Sequence, residues 1–287
     1  MNNIPSIILD GLLAGISLAA LSAGLAIVAN VVKVINLSHG AFFLLGCYLA
    51  YSSKALIPQG GLLIYPVAFL SPALIGLFIG KSMVNPLRKE PFSISVATLA
   101  VAILFEQISI LIWGDRAISI SQGTPLFKLL GFPVLKWHLR EIALLTFIIL
   151  LFSILPKTRM GLAMRITAED EEMARSVGVD TDFVRALAFS LSCGISSLAG
   201  FVIAPSGSIS PTAGRMPLIL SLIVVIVSGH EKLFPVIFTA LGLGVISNIV
   251  ANFCPSYFTY TSLLLIAALL LIAAPSGIAG LTIERDT

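Results

Sequence analysis

The groups best suited to metal or nucleophilic chemistry are few and scattered. The three histidines are His39, His138 and His230, and the three cysteines are Cys47, Cys193 and Cys254. They do not fall at metal-ligand spacings, so no metal site is expected. The cysteines all lie in apolar runs and read as buried, inert thiols with no disulfide framework. His230 and Glu231 are neighbours, which points them in different directions from a helix end, and no nucleophile accompanies them as an acid/base pair would need. The chain also lacks the G-x-x-x-x-G-K-[ST] loop that cradles nucleotide phosphates. No catalytic, cofactor-binding or metal-binding residue is assigned, and the chain does not read as an enzyme.

Other polar groups stand inside apolar runs, where they need partners. Glu106 and Gln107 interrupt the run near 92–113, after Ser93, Ser95 and Thr98. An ionisable group at that depth belongs either to a substrate pathway or to a buried hydrogen-bond network. A proton relay through Glu106 would need further intramembrane carboxylates, and none as deep is evident. Asn36, Ser38 and His39 sit at the mouth of the run 34–53, followed by Gly40. Such groups face the bundle or cap a helix start, because lipid cannot satisfy them. Asn36, Ser38, His39 and Glu106 are therefore the candidate translocation-pathway or bundle-core set.

The elements that must position these groups follow from composition. Only 11% of the 287 residues are charged, 57% are hydrophobic and mean hydropathy is +1.05. Soluble domains average about 25% charged residues, so this is an all-α, polytopic membrane protein. The low charge excludes the basic surface that nucleic acid requires. Runs of about 20 apolar residues, the length that crosses a bilayer, fall near 7–29, 34–53, 62–80, 92–113, 138–155, 184–204, 216–230, 234–252 and 257–275. The seventh is short enough to be a full span or a re-entrant half-helix, so eight or nine membrane segments are expected in a single domain over 1–287. The first run lacks the basic flank of a signal peptide and is expected to be retained. Its Gly11, Gly15 and Gly24, with several alanines, predict a helix whose backbone neighbours approach closely. Basic residues at Lys81, Arg88 and Lys89, and again at Lys157, Arg159, Arg165 and Arg175, put those two loops in the cytoplasm. With nine full spans the N-terminus then lies outside and the C-terminus inside; a re-entrant seventh segment changes one of the two. Two turn-rich segments, 114–137 and 203–217, fall on the outer face and suggest a vestibule.

The longest polar passage runs from Lys157 to Arg185, within a cytoplasmic loop at about 156–183. It contains four consecutive acids, Glu169 to Glu172. Thr167 with Asp170 resembles a capping box, Arg175 suits a helix C-terminus, and Gly178 suits a left-handed stop. A short helix from Ala168 to Val177 is predicted, with Ala168, Met173, Ala174 and Val177 as a small apolar face.

The opening GLLAGISLAALSAGLAIVANVVKVINLSHG, the loop GLAMRITAEDEEMARSVGVD with FVRALAFSLSCGISSLAG, and the ending APSGIAG together resemble permeases of the branched-chain amino acid ABC transporter family. That family includes relatives for other amino acids, amides and urea. Two departures are visible: Ala41 stands where the family often has an acid after His-Gly, and Gly229-His230-Glu231-Lys232-Leu233 replaces a glycine-rich turn. The resemblance implies an ABC importer permease in a bacterial inner membrane. Its expected partners are membrane lipid, a second homologous permease, two cytoplasmic ATPases that use ATP and Mg, and an extracytoplasmic binding protein. The chain itself would bind no cofactor. By position, the short polar helix would be the ATPase-coupling element, with Thr167, Glu169, Asp170, Ala174 and Gly178 as its candidate residues. The alternative is an ion-coupled secondary transporter working without an ATPase, which predicts an internal inverted repeat; none is evident.

Overall fold

The first helix, α1 (Ile4–Val31), is apolar on every side, which marks a helix enclosed by others, and most of its length is buried. The computed structural model describes residues 4–56, 61, 63–120, 126–129, 132–229, 233–254 and 257–273. Along one side of α1 lies α10 (Leu233–Phe253). Their contact is a glycine seam: a Cβ at Gly15 would stand 2.8 Å from Leu241 Cα, and one at Gly244 would stand 2.5 Å from Gly15 Cα. In lipid, where burial between helices gives no hydrophobic gain, such backbone proximity supplies dispersion that larger side chains would forfeit.

A second pillar is α8 (Thr181–Ile203), which packs on α2 (His39–Leu56) and on α3 (Ile64–Ile79) with its π-helical extension Gly80–Val84. Gly46 lies on the backbone of Ser197 and Gly200 on that of Phe43, while Gly76 and Gly80 meet Cys193 and Ala186. Serine and cysteine donors bridge the same contacts, as in Ser190 Oγ to the Ala73 carbonyl at 2.7 Å. The core accordingly has two centres. One surrounds Phe42, Tyr48, Phe189 and Ile195; the other surrounds Leu25, Val224, Val236 and Leu243, and α1 contributes to both.

The remaining long helices are α4 (Pro91–Trp113), α5 (Lys136–Ile154) and α11 (Tyr257–Ala273), and a shorter one is α9 (Arg215–Ser228). Proline at the first position of α4 costs no hydrogen bond there, and Gly114, at φ +85°, ends that helix. Large apolar side chains stay exposed on α3 and α4, including Phe78, Leu99 and Leu111, as a lipid-facing surface requires. Six helices among the described residues are long and apolar enough to cross a membrane: α1, α3, α4, α5, α8 and α10, some with their short extensions. The protein is a multi-pass membrane helix bundle, and six spans is the count that length and composition establish.

The two turn-rich segments meet, as β1 (Ile118–Ser119) pairs antiparallel with a later strand at Ser208–Ile209. Between them in sequence, β2 (Phe127–Leu129) and β3 (Phe132–Val134) form a hairpin, so the later strand is β4. The break at His230 to Lys232 and the ending from Ala274 lie outside the described residues. Cys47 and Cys193 are buried as expected, but Cys254 is exposed just beyond the last turn of α10.

Candidate coupling segment and translocation pathway

The polar passage folds as two helices rather than one. Thr158 caps α6 (Arg159–Glu169) by accepting from Gly161 N at 3.0 Å. Asp170 is extended, at φ −148° and ψ +109°, and its Oδ1 accepts from Met173 N at 2.9 Å to begin α7 (Glu171–Ser176). The cap therefore lies at Asp170, three residues after the predicted Thr167. Thr167 is buried inside α6: its flanking residues have good helix propensity, and the carboxylate three positions later is the stronger cap. Gly178 adopts φ +84°, and Gly178 N and Val179 N donate to the carbonyls of Arg175 and Ala174. That is the predicted left-handed stop.

The apolar face of α7 is split. Ala174 is fully buried against the protein's own bundle, so it supports the helix and presents no surface, whereas Met173 and Val177 are 62% and 65% exposed. The outward face is Glu172, Met173, Ser176 and Val177. Glu169 is exposed and pairs within α6 with Arg165 at 3.0 Å.

Charged side chains clamp α7 to the spans on either side. Arg175 donates to Glu171 at 2.9 Å, to Asp182 at 3.1 Å and to Thr181 Oγ1 at 2.7 Å. Arg185, buried in α8, donates to the second oxygen of Glu171 at 3.1 Å. Asp182 also accepts from Arg88 at 2.7 Å, and its backbone carbonyl accepts from Asn85 at 2.7 Å. Each exposed pair alone adds little. As a connected set they join α7, the first turn of α8 and the loop after α3 into one body.

The second sequence-predicted set does not form one cluster. Residues 32–38 leave α1 and turn back into the bundle, with Lys33 at φ +58°. There Asn36 Oδ1 accepts from the backbone N and Oγ of Ser38 at 3.0 and 2.6 Å. His39 opens α2 beside the middle of α1: its Nε2 lies 2.9 Å from the Leu21 carbonyl and its Nδ1 lies 3.1 Å from Ser192 Oγ. The His39 carbonyl accepts from Ser196 Oγ at 2.6 Å. Asn36, Ser38 and His39 are fully enclosed, so they hold the broken start of α2 inside the bundle. Thr98 of α4 joins them by accepting from Leu37 N at 3.2 Å.

Glu106 stands apart from that set. Arg215, the first residue of α9, donates through Nε and Nη2 to its two oxygens at 2.9 and 2.7 Å. At 1.5 Å per residue, Glu106 lies about 10 Å from the Trp113 end of α4 and about 22 Å from its Pro91 end. Gly214, just before α9, touches the carbonyl of Gly40. Both α2 and α9 thus begin within the bundle, at neighbouring points. The other end of α9, at Leu222, Val225 and Ile226, lines a cavity with Asn30, Lys33 and Ala168 of α6. The seventh segment therefore runs from the level of Gly40 to the end that holds α6, and at 14 residues it stands outside the six helices long enough to cross a membrane.

A further deep carboxylate exists. Glu141 of α5 is fully buried and accepts from Ser17 Oγ of α1 at 2.7 Å. The expectation that no other carboxylate lies as deep as Glu106 is thereby corrected: only the packing of α5 on α1 encloses Glu141.

Stacked apolar helices, a braced polar loop at one end and an ion pair between two of the helices define a multi-pass membrane protein. The family model for the branched-chain amino acid transport system permease component matches residues 7–274, and the chain belongs to that family. Among its relatives is the "Probable branched-chain amino acid transport permease protein LivH" of Methanocaldococcus jannaschii, 26% identical over 92% of this chain and 88% of its own length. BraD of Pseudomonas aeruginosa, a high-affinity branched-chain amino acid transport system permease protein, is 23% identical over 95% and 94%. LsrC of Escherichia coli, an autoinducer 2 import system permease, is 34% identical over 48% of this chain and 40% of its own.

Proposed function

We propose that the chain is one of two permease subunits of an ATP-driven importer for amino acids, branched-chain ones first among them. The observation that carries this reading is the match to a permease family along nearly the whole chain. The end bearing Arg88, α6 and α7 is cytoplasmic on this reading, following its basic residues. The nine apolar helices among the described residues are nine membrane segments, two of which, α2 and α9, begin within the bundle. A second homologous permease completes the pathway, two cytoplasmic ATPases use ATP and Mg, and an extracytoplasmic protein delivers the solute. The ATPases seat on the outward face of α7, through Met173 and Val177, with Asp170 and Gly178 fixing the helix ends and Ala174 and Thr167 holding it from behind. Movement of an ATPase then reaches α3 and α8 as a rigid-body displacement through the Arg175 and Asp182 contacts.

The test is mild-detergent purification of the tagged chain with identification of what accompanies it, followed by uptake assays in liposomes. Recovery of an ATPase and a second permease, with amino acid uptake that needs ATP, is the expected result. Uptake by this chain alone, driven by an ion gradient without ATP, would overturn the proposal.

A further inference from the structure

Packing does not account for the Glu106–Arg215 pair. Arg215 opens α9, where unpaired backbone N–H groups already concentrate positive charge, the unfavourable end for a guanidinium. It also stands level with Glu106, about 10 Å inward from the Trp113 end of α4, where a cation needs a partner. Glu106 neutralises it from one side only. The carboxylate is held on the α4 side, its side chain 13% exposed, while the arginine side chain is 64% exposed. Of the five guanidinium N–H donors, the Glu106 bonds use those on Nε and Nη2, and the Nη1 edge faces outward with no acceptor among the described residues. Along the same face of α9, Ile219, Leu222 and Ile226 follow at helical spacing toward the cavity at Lys33. A charge pair thus stands at the head of an apolar track.

We propose that Glu106 and Arg215 together receive the zwitterionic head group of an α-amino acid as it passes: the carboxylate on the outward edge of Arg215, the ammonium on Glu106, and the side chain over Ile219. This rests on the amino acid reading above. The chemistry favours a pair over a lone arginine. A neutral pair meeting a neutral zwitterion exchanges one set of ionic contacts for an equivalent set, with no change of net charge at the site. A lone cation would attract a carboxylate with no means of balancing the ammonium, and conduction requires a stop that is favourable yet weak.

The experiment uses the assembled complex in liposomes with binding protein, ATP and leucine as cargo. R215Q is expected to lower uptake at least about tenfold, the worth of a charged hydrogen bond, while ATP hydrolysis stimulated by loaded binding protein stays within about twofold. R215K, which keeps the charge, retains a measurable part of the uptake. R215C in a C254S background should react with a water-soluble thiosulfonate, and turnover with leucine should slow that reaction. R215Q transport within about twofold of wild type overturns the proposal, as does equal loss of uptake and ATPase in R215Q and R215K, and so does an R215C thiol that never reacts. Failure of the wild-type complex to take up any amino acid with ATP would instead defeat the importer reading itself, and the labelling of R215C would still report whether the position meets water.

Discussion

Two glycines on α10, two residues apart, should respond oppositely to the same substitution. A methyl group at Gly244 would lie 2.5 Å from Gly15 Cα and 2.6 Å from both Gly11 O and Gly15 N, all backbone atoms. At Gly242 a methyl group meets nothing within 4 Å. Both positions are helix interior, so alanine gains about 1 kcal/mol of helix propensity at each. For G242A that gain stands alone. For G244A, carbon atoms prefer about 3.5–4.0 Å, so α1 and α10 must separate by about 1 Å along the seam. Overpacking of this kind costs about 1–3 kcal/mol, and the absence of any side chain that can swing aside puts G244A at the upper end. The net expectation is a variant destabilised by about 1–2 kcal/mol beside one unchanged or stabilised by up to about 1 kcal/mol. For a chain of this size, that difference is a gap of several degrees, roughly 4 °C or more, in apparent melting temperature. Purified protein in one detergent, followed by loss of monodisperse protein on heating, reads the ranking. G244A melting at or above G242A would refute the claim that the α1–α10 contact is set by backbone approach.

Three further outcomes follow from the same geometry. D170A removes the α7 cap at a local cost of about 1 kcal/mol and should speed amide exchange over 171–176, whereas D170N, which keeps an acceptor, should leave exchange nearly unchanged. M173E puts a charge on the outward face of α7 and should sharply reduce ATPase recovery with the membrane chain at normal abundance; undiminished recovery would remove Met173 from the docking face. H39A leaves the Leu21 carbonyl and the Ser192 hydroxyl enclosed without their partner, a loss of about 1–3 kcal/mol, and thermal stability measured as above should fall clearly below wild type.

Much of the bundle is legible in the residues themselves. Apolar runs of bilayer length, Gly11 and Gly15 as a close-approach face and Gly178 as a helix stop all follow from local chemistry, and each stands where local chemistry puts it. The errors fall where a choice between neighbours depends on tertiary contact. Thr167 and Asp170 are both competent caps, and the packing of α6 on the bundle decided for Asp170 by enclosing Thr167. Ala174 and Met173 are both apolar on a short helix, yet the clamp from Arg175 and Arg185 turns Ala174 inward. Glu141 escapes the search for a second deep carboxylate because nothing in its own segment says that Ser17 of α1 will cover it. Arg215 is the clearest omission. A basic residue just before a short apolar run reads as a boundary, and only the chain's descent to Gly40 brings it level with Glu106.

The seam between α1 and α10 also sets a schedule. The first helix is made and inserted before its principal neighbour exists, since α10 begins more than 200 residues later. At about 5–20 residues per second, roughly ten to fifty seconds pass before Gly244 can reach Gly15. During that interval α1 stands in the membrane with a flank of bare backbone at Gly11 and Gly15, a surface that lipid covers poorly. Whatever attends the nascent chain must guard that flank until α10 arrives, so a contact built on bare backbone is among the last to form.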